Sequence, residues 1–302
     1  MNNRNRIRLL ALLGLALVIG LAAAPPAAAD AAKAKEAFNA GVKAMQAGNV
    51  DEAIVNYKLA IQEDPAYADP AMNLGAIYFD KQAYQEALTA FQTATERDPK
   101  RAEAWSNLGK VHYTLKQWVE ATTAFQKAAD LEPNKVQNFI DLGKTFSQRD
   151  MAAEAAASLE KAHQLGGGDY LSWYYLGKAY EGQSKPTEAV AAYEKSIQLK
   201  DDFYYSHSAL GNYYLSKEKY GLAAGHFKKA AATGDTQAYR AAYNYAIAVQ
   251  SEDPEDYEAA TVAWESFIQS YKNNPKAAKQ VAGARETLKA LKEAKDQASN
   301  MQ

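Results

Sequence analysis

Residues 102–135 read AEAWSNLGKVHYTLKQWVEATTAFQKAADLEPNK. At about 100° per residue, Trp105, Leu108, Gly109 and His112 fall on one helical face, and Ala121, Phe125 and Ala128 fall on another. Two helices with one apolar stripe each make an αα-hairpin. Gly109 lets the partner helix come close, and Pro133 closes the unit.

The hairpin recurs at a fixed interval. Asn73-Leu74-Gly75 and Asn107-Leu108-Gly109 lie 34 residues apart, and Leu142-Gly143, Leu176-Gly177 and Leu210-Gly211 continue the spacing. In phase with them run Ala53, Ala87, Ala121, Ala155, Ala189 and Ala223. Four residues after each stands Tyr57, Phe91, Phe125, Leu159, Tyr193 or Phe227, and three later Ala60, Ala94, Ala128, Ala162, Ser196 or Ala230. Pro65 and Pro99 close the units before Pro133. A lone hairpin cannot cover its own stripe, so stability comes from stacking neighbours.

These residues resemble the tetratricopeptide repeat, whose pattern is W-x2-L-G-x2-Y, then A-x3-F, then P. The resemblance covers about residues 34–275 and implies an all-α, right-handed solenoid of about seven hairpins. Units run over about 34–67, 68–101, 102–135, 136–169, 170–203, 204–237 and 239–275 within an array spanning 30–275. In the seventh, Asn244-Tyr245-Ala246 stands in for Asn-Leu-Gly, and Ala260 and Trp264 are displaced two residues by the Ser251–Asp256 turn. Residues 276–302 read as a polar capping helix with Val281, Ala284, Leu288 and Leu291 on one side, hiding the last open stripe.

Turn chemistry agrees. Asp64-Pro65 and Asp98-Pro99 end second helices, because the residue before proline is pushed out of α geometry. Asp69-Pro70 reads as an N-cap acid followed by a first-turn proline. Gly166-Gly167-Gly168 reads as a helix stop with Asp169 capping the next helix; the rival reading is a flexible joint.

The first 29 residues read as an address. Arg4, Arg6 and Arg8 precede the uncharged stretch Leu9–Ala24, then Pro25-Pro26 and Ala27-Ala28-Ala29, the pattern of a secretory signal peptide cut after Ala29. Sixteen uncharged residues fall short of the roughly 20 that span a bilayer, which disfavours an uncleaved anchor. Cleavage removes three Arg and no acid, so 31 basic residues face 36 acidic ones for a net charge of −5. The expected location is periplasmic, and membrane contact is expected only through that segment if it is retained.

Composition narrows the role. No cysteine means no thiol nucleophile, Cys-ligated metal or acylated cysteine anchor. The acidic balance argues against nucleic acid, which requires an excess of clustered Lys and Arg. His112, His163, His207 and His226 are followed by Tyr, Gln, Ser and Phe, so there is no His-Glu-x-x-His run, and no phosphate loop or nucleophile elbow appears. His112 and His207 fall at interior-facing repeat positions, and the pairs Asp51-Glu52 and Asp201-Asp202 lie at element ends, where capping is the ordinary role. No catalytic group and no cofactor are expected.

A ligand is expected on the opposite face of each first helix, where repeat positions 2, 6, 9 and 13 line up along an inner groove. In relatives of this family that groove binds extended peptides or helices. Position 6 supplies Asn39, Asn73, Asn107, Asp141, Tyr175, Ala209 and Asn244, and position 9 supplies Lys110, Lys144, Lys178 and Asn212. Asn carries a donor and an acceptor and can bind a peptide backbone without reading side chains. The three Lys make a cationic strip, and Tyr174, Tyr205 and Tyr243 give contact area at low entropy cost. Together they describe a polar, basic mid-groove leading into an aromatic C-terminal pocket. The family's carboxylate clamp is not reproduced: Phe38, Val42, Met72 and Ser106 occupy clamp positions. The expected function is an exported, non-catalytic scaffold for a protein or peptide partner in envelope assembly; self-association into a structural oligomer and membrane anchoring are the alternatives.

Overall fold

A computed structural model describes residues 30–301. The expected signal segment lies outside the described residues. Fifteen α-helices follow one another, with no strand among the described residues. They are α1 (Ala31–Gln46), α2 (Val50–Glu63), α3 (Asp69–Asp80), α4 (Tyr84–Arg97), α5 (Ala102–Thr114), α6 (Trp118–Leu131), α7 (Val136–Gln148), α8 (Ala152–Gln164), α9 (Tyr170–Gly182), α10 (Pro186–Leu199), α11 (Tyr204–Ser216), α12 (Tyr220–Ala232), α13 (Ala238–Glu252), α14 (Tyr257–Tyr271) and α15 (Ala278–Met301). Each packs on the next, so the chain is an α-solenoid of seven consecutive hairpins followed by α15. No described helix is long and apolar enough to cross a membrane.

One contact holds each of the first six hairpins closed. The side chains of Tyr57, Phe91, Phe125, Leu159, Tyr193 and Phe227 lie against Gly41, Gly75, Gly109, Gly143, Gly177 and Gly211. A Cβ on any of these glycines would meet the facing side chain at 2.4–2.7 Å. The facing side chains are themselves buried to 2% exposure or less, so the two helices approach to the limit that a bare backbone allows.

The turn inside each of these hairpins also repeats. Gly48, Gln82, Lys116, Asp150, Ser184 and Glu218 all have positive φ, between 55° and 79°. After each, an amide reaches back to a carbonyl five residues earlier, as in Gln117 N to His112 O at 2.9 Å and Lys219 N to Tyr214 O at 2.9 Å. This is the left-handed helix stop that favours glycine, and five of the six positions hold another residue.

Other turns are fixed by side chains. Asp169 caps α9 by accepting from Ser172 N at 2.7 Å. The three glycines before it take conformations that a larger residue would strain. Gly166 and Gly168 have φ of +81° and +132°, and a Cβ on Gly167 would meet Val136 Cγ1 at 2.2 Å. Asp69 departs from the expected cap. It is the first residue of α3, makes no capping bond, and its carboxylate pairs with Arg101, the residue just before α5.

The array closes on α15. Val281, Ala284 and Leu291 are buried, Leu288 is half-buried, and they cover Trp264 and Phe267 of α14. Trp264 is 2% exposed, and its indole N–H donates to Gln250 Oε1 at 2.8 Å.

Candidate ligand groove

The first helices of units two to five, α3, α5, α7 and α9, together wall a recess of about 300 Å³. Its lining comprises Phe79, Tyr113, Phe125, Leu171 and Tyr175, and the polar side chains of Lys110, Thr114, Asp141 and Lys144 beside the two tyrosine hydroxyls; Phe125 comes from α6. Asp141 Oδ1 accepts from Gln137 Nε2 at 2.9 Å. Its other oxygen, Oδ2, is buried with no hydrogen-bond partner. Leaving a buried acceptor unmet costs about 1–3 kcal/mol, more for a charged group, so this oxygen is a place where a donor would be welcome. Burial raises the Asp141 pKa, while the Gln137 bond and then Lys144 and Lys110 oppose that rise. Burial also pushes the Tyr113 hydroxyl up, reinforced by Tyr175 and Asp141 beside it.

Neither Lys110, Lys144 nor Lys178 has a carboxylate within ion-pairing distance among the described residues. Lys110 makes one long bond, to Asn107 Oδ1 at 3.4 Å. The expected lysine strip is divided between two sites: Lys110 and Lys144 belong to the mid-groove recess, and Lys178 to a second one.

That second recess, about 390 Å³, is bordered by Tyr174, Lys178, Tyr204, Tyr205, Asn212, Arg240 and Asn244. Tyr174 is half-buried, its ring 5.4 Å from Phe203, 5.8 Å from Tyr205 and 5.9 Å from Tyr193. Asn244 Nδ2 reaches Asn212 Oδ1 at 3.5 Å, a weak rung between units six and seven. Asn39 is exposed, while Asn73 and Asn107 are half-buried, and none of the three borders either recess.

Tyr243 is half-buried, its ring 5.1 Å from Trp264 and 5.4 Å from Phe267, and it borders neither recess. Tyr175 lines the mid-groove recess with Tyr113, and its ring also meets Tyr174 at 5.5 Å. From the sequence, Asp141 was only one member of the position-6 row, and Phe79 and Tyr113 were not singled out. The available signal was a break in the asparagine row at position 6, and two aromatics in successive units at position 12.

The four histidines divide between core and hairpin seams. His207 is fully buried, its Nε2–H donating to the Asp201 carbonyl at 2.7 Å. A carbonyl can only accept, so His207 Nδ1 carries the lone pair, and His226 Nδ1–H donates to it at 3.1 Å. His112 is buried and bonded through Nδ1 to Gln117 Oε1 at 2.7 Å. His163 stacks on Trp173 at 3.7 Å between centroids. Among the described residues no three His, Asp or Glu converge as a metal site would require.

Comparison with known proteins places this geometry in a wider set. Family models described as tetratricopeptide repeat match residues 102–135, 38–92 and 141–202, and one described as TPR repeat matches residues 75–116. Together they cover 38–135 and 141–202, more than half of the chain. No curated protein matches. Among solved structures, the C-terminal part of a TPR repeat-containing protein from Cytophaga hutchinsonii is similar, with 18% identity, a TM-score of 0.65, and coverage of 81% of this chain and 99% of that one. PilW, described as a type IV pilus biogenesis factor, has 18% identity and a TM-score of 0.58 over 72% of this chain and 97% of its own. YrrB, described as a TPR protein with an unusual peptide-binding site, has 18% identity and a TM-score of 0.53 over 65% and 98%. At such identities these likenesses speak for the fold.

Proposed function

The chain being a tetratricopeptide repeat protein, we propose that it is an exported, non-catalytic adaptor that holds an extended segment of a protein partner along its inner groove. The observation that carries this reading is the mid-groove recess. Four separate units each contribute a side chain to one hollow that contains an acceptor without a partner and two ammonium groups without an ion pair among the described residues. A wall meant only for solvent has no reason to bury a carboxylate. The second recess continues the same track toward unit seven, so a ligand can lie across several units. Export follows from the leader pattern in residues 1–29, and the setting in envelope or pilus assembly is part of the proposal. The solved structures of PilW and of peptide-binding YrrB show that this fold is used in such roles by other proteins.

Replacing Lys110, Lys144 and Lys178 together by Glu tests the groove. Capture of acidic peptides from a random pool should fall, and its salt dependence should flatten, while helicity is unchanged. Undiminished capture by the triple variant would dismiss the groove as the binding surface.

Self-association is a second reading, favoured by a broad outer recess of about 830 Å³ bordered by α12, α13 and α14, with exposed Val262 on its rim. Light scattering at two concentrations tests it. A constant monomer mass removes this reading.

A further inference from the structure

The mid-groove recess has a chemistry more specific than a general peptide track. Its lining is largely rings and methyl groups, from Phe79, Tyr113, Phe125, Leu171 and Tyr175. Asp141 also lines it, and its Oδ2 is buried with no hydrogen-bond partner among the described residues. Lys110 and Lys144 line it too, free of ion-pair partners among the described residues. A donor that enters must therefore be an N–H or O–H, since the carboxylate accepts only. It should be uncharged, because two ammonium groups in the lining outweigh one carboxylate and repel a cation. It should sit on a large planar apolar body, because buried ring contacts are worth most in edge-to-face and offset arrangements against such walls.

Resting on the groove reading above, we infer that this recess seats one aromatic side chain with a single uncharged donor, tryptophan or tyrosine, from a partner segment whose neighbouring residues are acidic. The indole N–H or phenol O–H donates to Asp141 Oδ2, the ring lies among Phe79, Tyr113 and Tyr175, and the flanking carboxylates meet Lys110 and Lys144. Asp141 is positioned for this. Its backbone carbonyl accepts the Thr145 hydroxyl at 2.6 Å, and Gln137 donates to Oδ1, so that Oδ2 is the oxygen without a partner among the described residues.

The test uses fluorescein-labelled synthetic peptides, each with one central residue between acidic neighbours, titrated into the full chain by anisotropy. Trp and Tyr at the centre should bind tightest. Phe, which keeps a ring but loses the donor, should bind about tenfold more weakly or worse, as expected for a hydrogen bond to a charged acceptor. Gln, with donors but no ring, and Lys, with charge, should bind more weakly than either. Asp141→Asn preserves shape, and Gln137 holds its oxygen, so an N–H now points into the recess. The advantage of Trp over Phe should then vanish while far-UV circular dichroism stays unchanged. If Phe equals Trp, if Lys or Gln binds best, or if Asp141→Asn leaves the difference intact, the anchor assignment is overturned. Binding of other peptides from a random pool would in those cases leave the groove reading standing. Absence of binding by any peptide would overturn both.

Discussion

Gly75 and Phe91 approach so closely that a methyl group on the glycine would lie 2.6 Å from Cε1 of the ring. Helix propensity favours alanine over glycine by about 1 kcal/mol, but here the ring is 2% exposed and has nowhere to go. Gly75→Ala should therefore lower stability by about 1–3 kcal/mol, the range for overpacking a filled core. Gly225, exposed in α12 with nothing within 4 Å of a built Cβ, supplies the control. Gly225→Ala should raise stability by about 0.5–1 kcal/mol. Urea midpoints of the two variants should move in opposite directions, and parallel shifts would refute the steric account.

The left-handed turn residues offer a gain. Lys116, Gln82, Ser184 and Glu218 hold φ of 57–59° without being glycine. That conformation costs an L-residue roughly 1–2 kcal/mol, partly offset by the entropy glycine loses on folding. Each change to Gly should stabilise by about 0.5–1 kcal/mol, and the gains should add, because the sites lie in different units. Asp150, with φ of 55°, should gain least, since Asp tolerates this region better. A melting series that shows no upward shift would disprove the expectation.

The His207–His226 pair predicts a response to acid. Burial lowers both imidazoles, His226 to about 4 with help from His207 and Lys229. The groups around the pair are Asp201, Lys229 and the Tyr214 ring stacked on His226. The unfolded chain takes up protons near pH 6.5 while the folded one resists, so stability is full above about 6.5 and declines toward about 4. His226→Leu should remove most of that decline. Urea midpoints measured across this window decide the point, and an unchanged slope in the variant would discard the pair as its cause.

What could be read from the sequence was whatever repeats or is local. The interval between glycines, the rings four residues past each alanine and the proline stops are short-range patterns that six units write again and again. The left-handed turns escaped notice because only Gly48 declares itself among six equivalent positions. The mid-groove recess escaped because Phe79, Tyr113, Asp141 and Tyr175 come from four helices, and superhelix curvature alone decides which of them converge.

Asp141 sets binding against stability. Its carboxylate has one buried oxygen with no partner, and burial raises its pKa. A raised carboxyl pKa means that the folded state holds the proton more tightly than the unfolded chain. Asp141 therefore costs stability as pH rises through its folded pKa, and the cost disappears in acid. Asp141→Asn should make the free protein more stable at neutral pH, by about 1–3 kcal/mol if the unmet charged oxygen is the cause. The gain should shrink as pH falls toward the ordinary carboxylate range. A variant that is less stable at pH 7, or equally stabilised at all pH values, would show that the carboxylate is held by bonds within the fold. There would then be no acceptor waiting for a partner's donor.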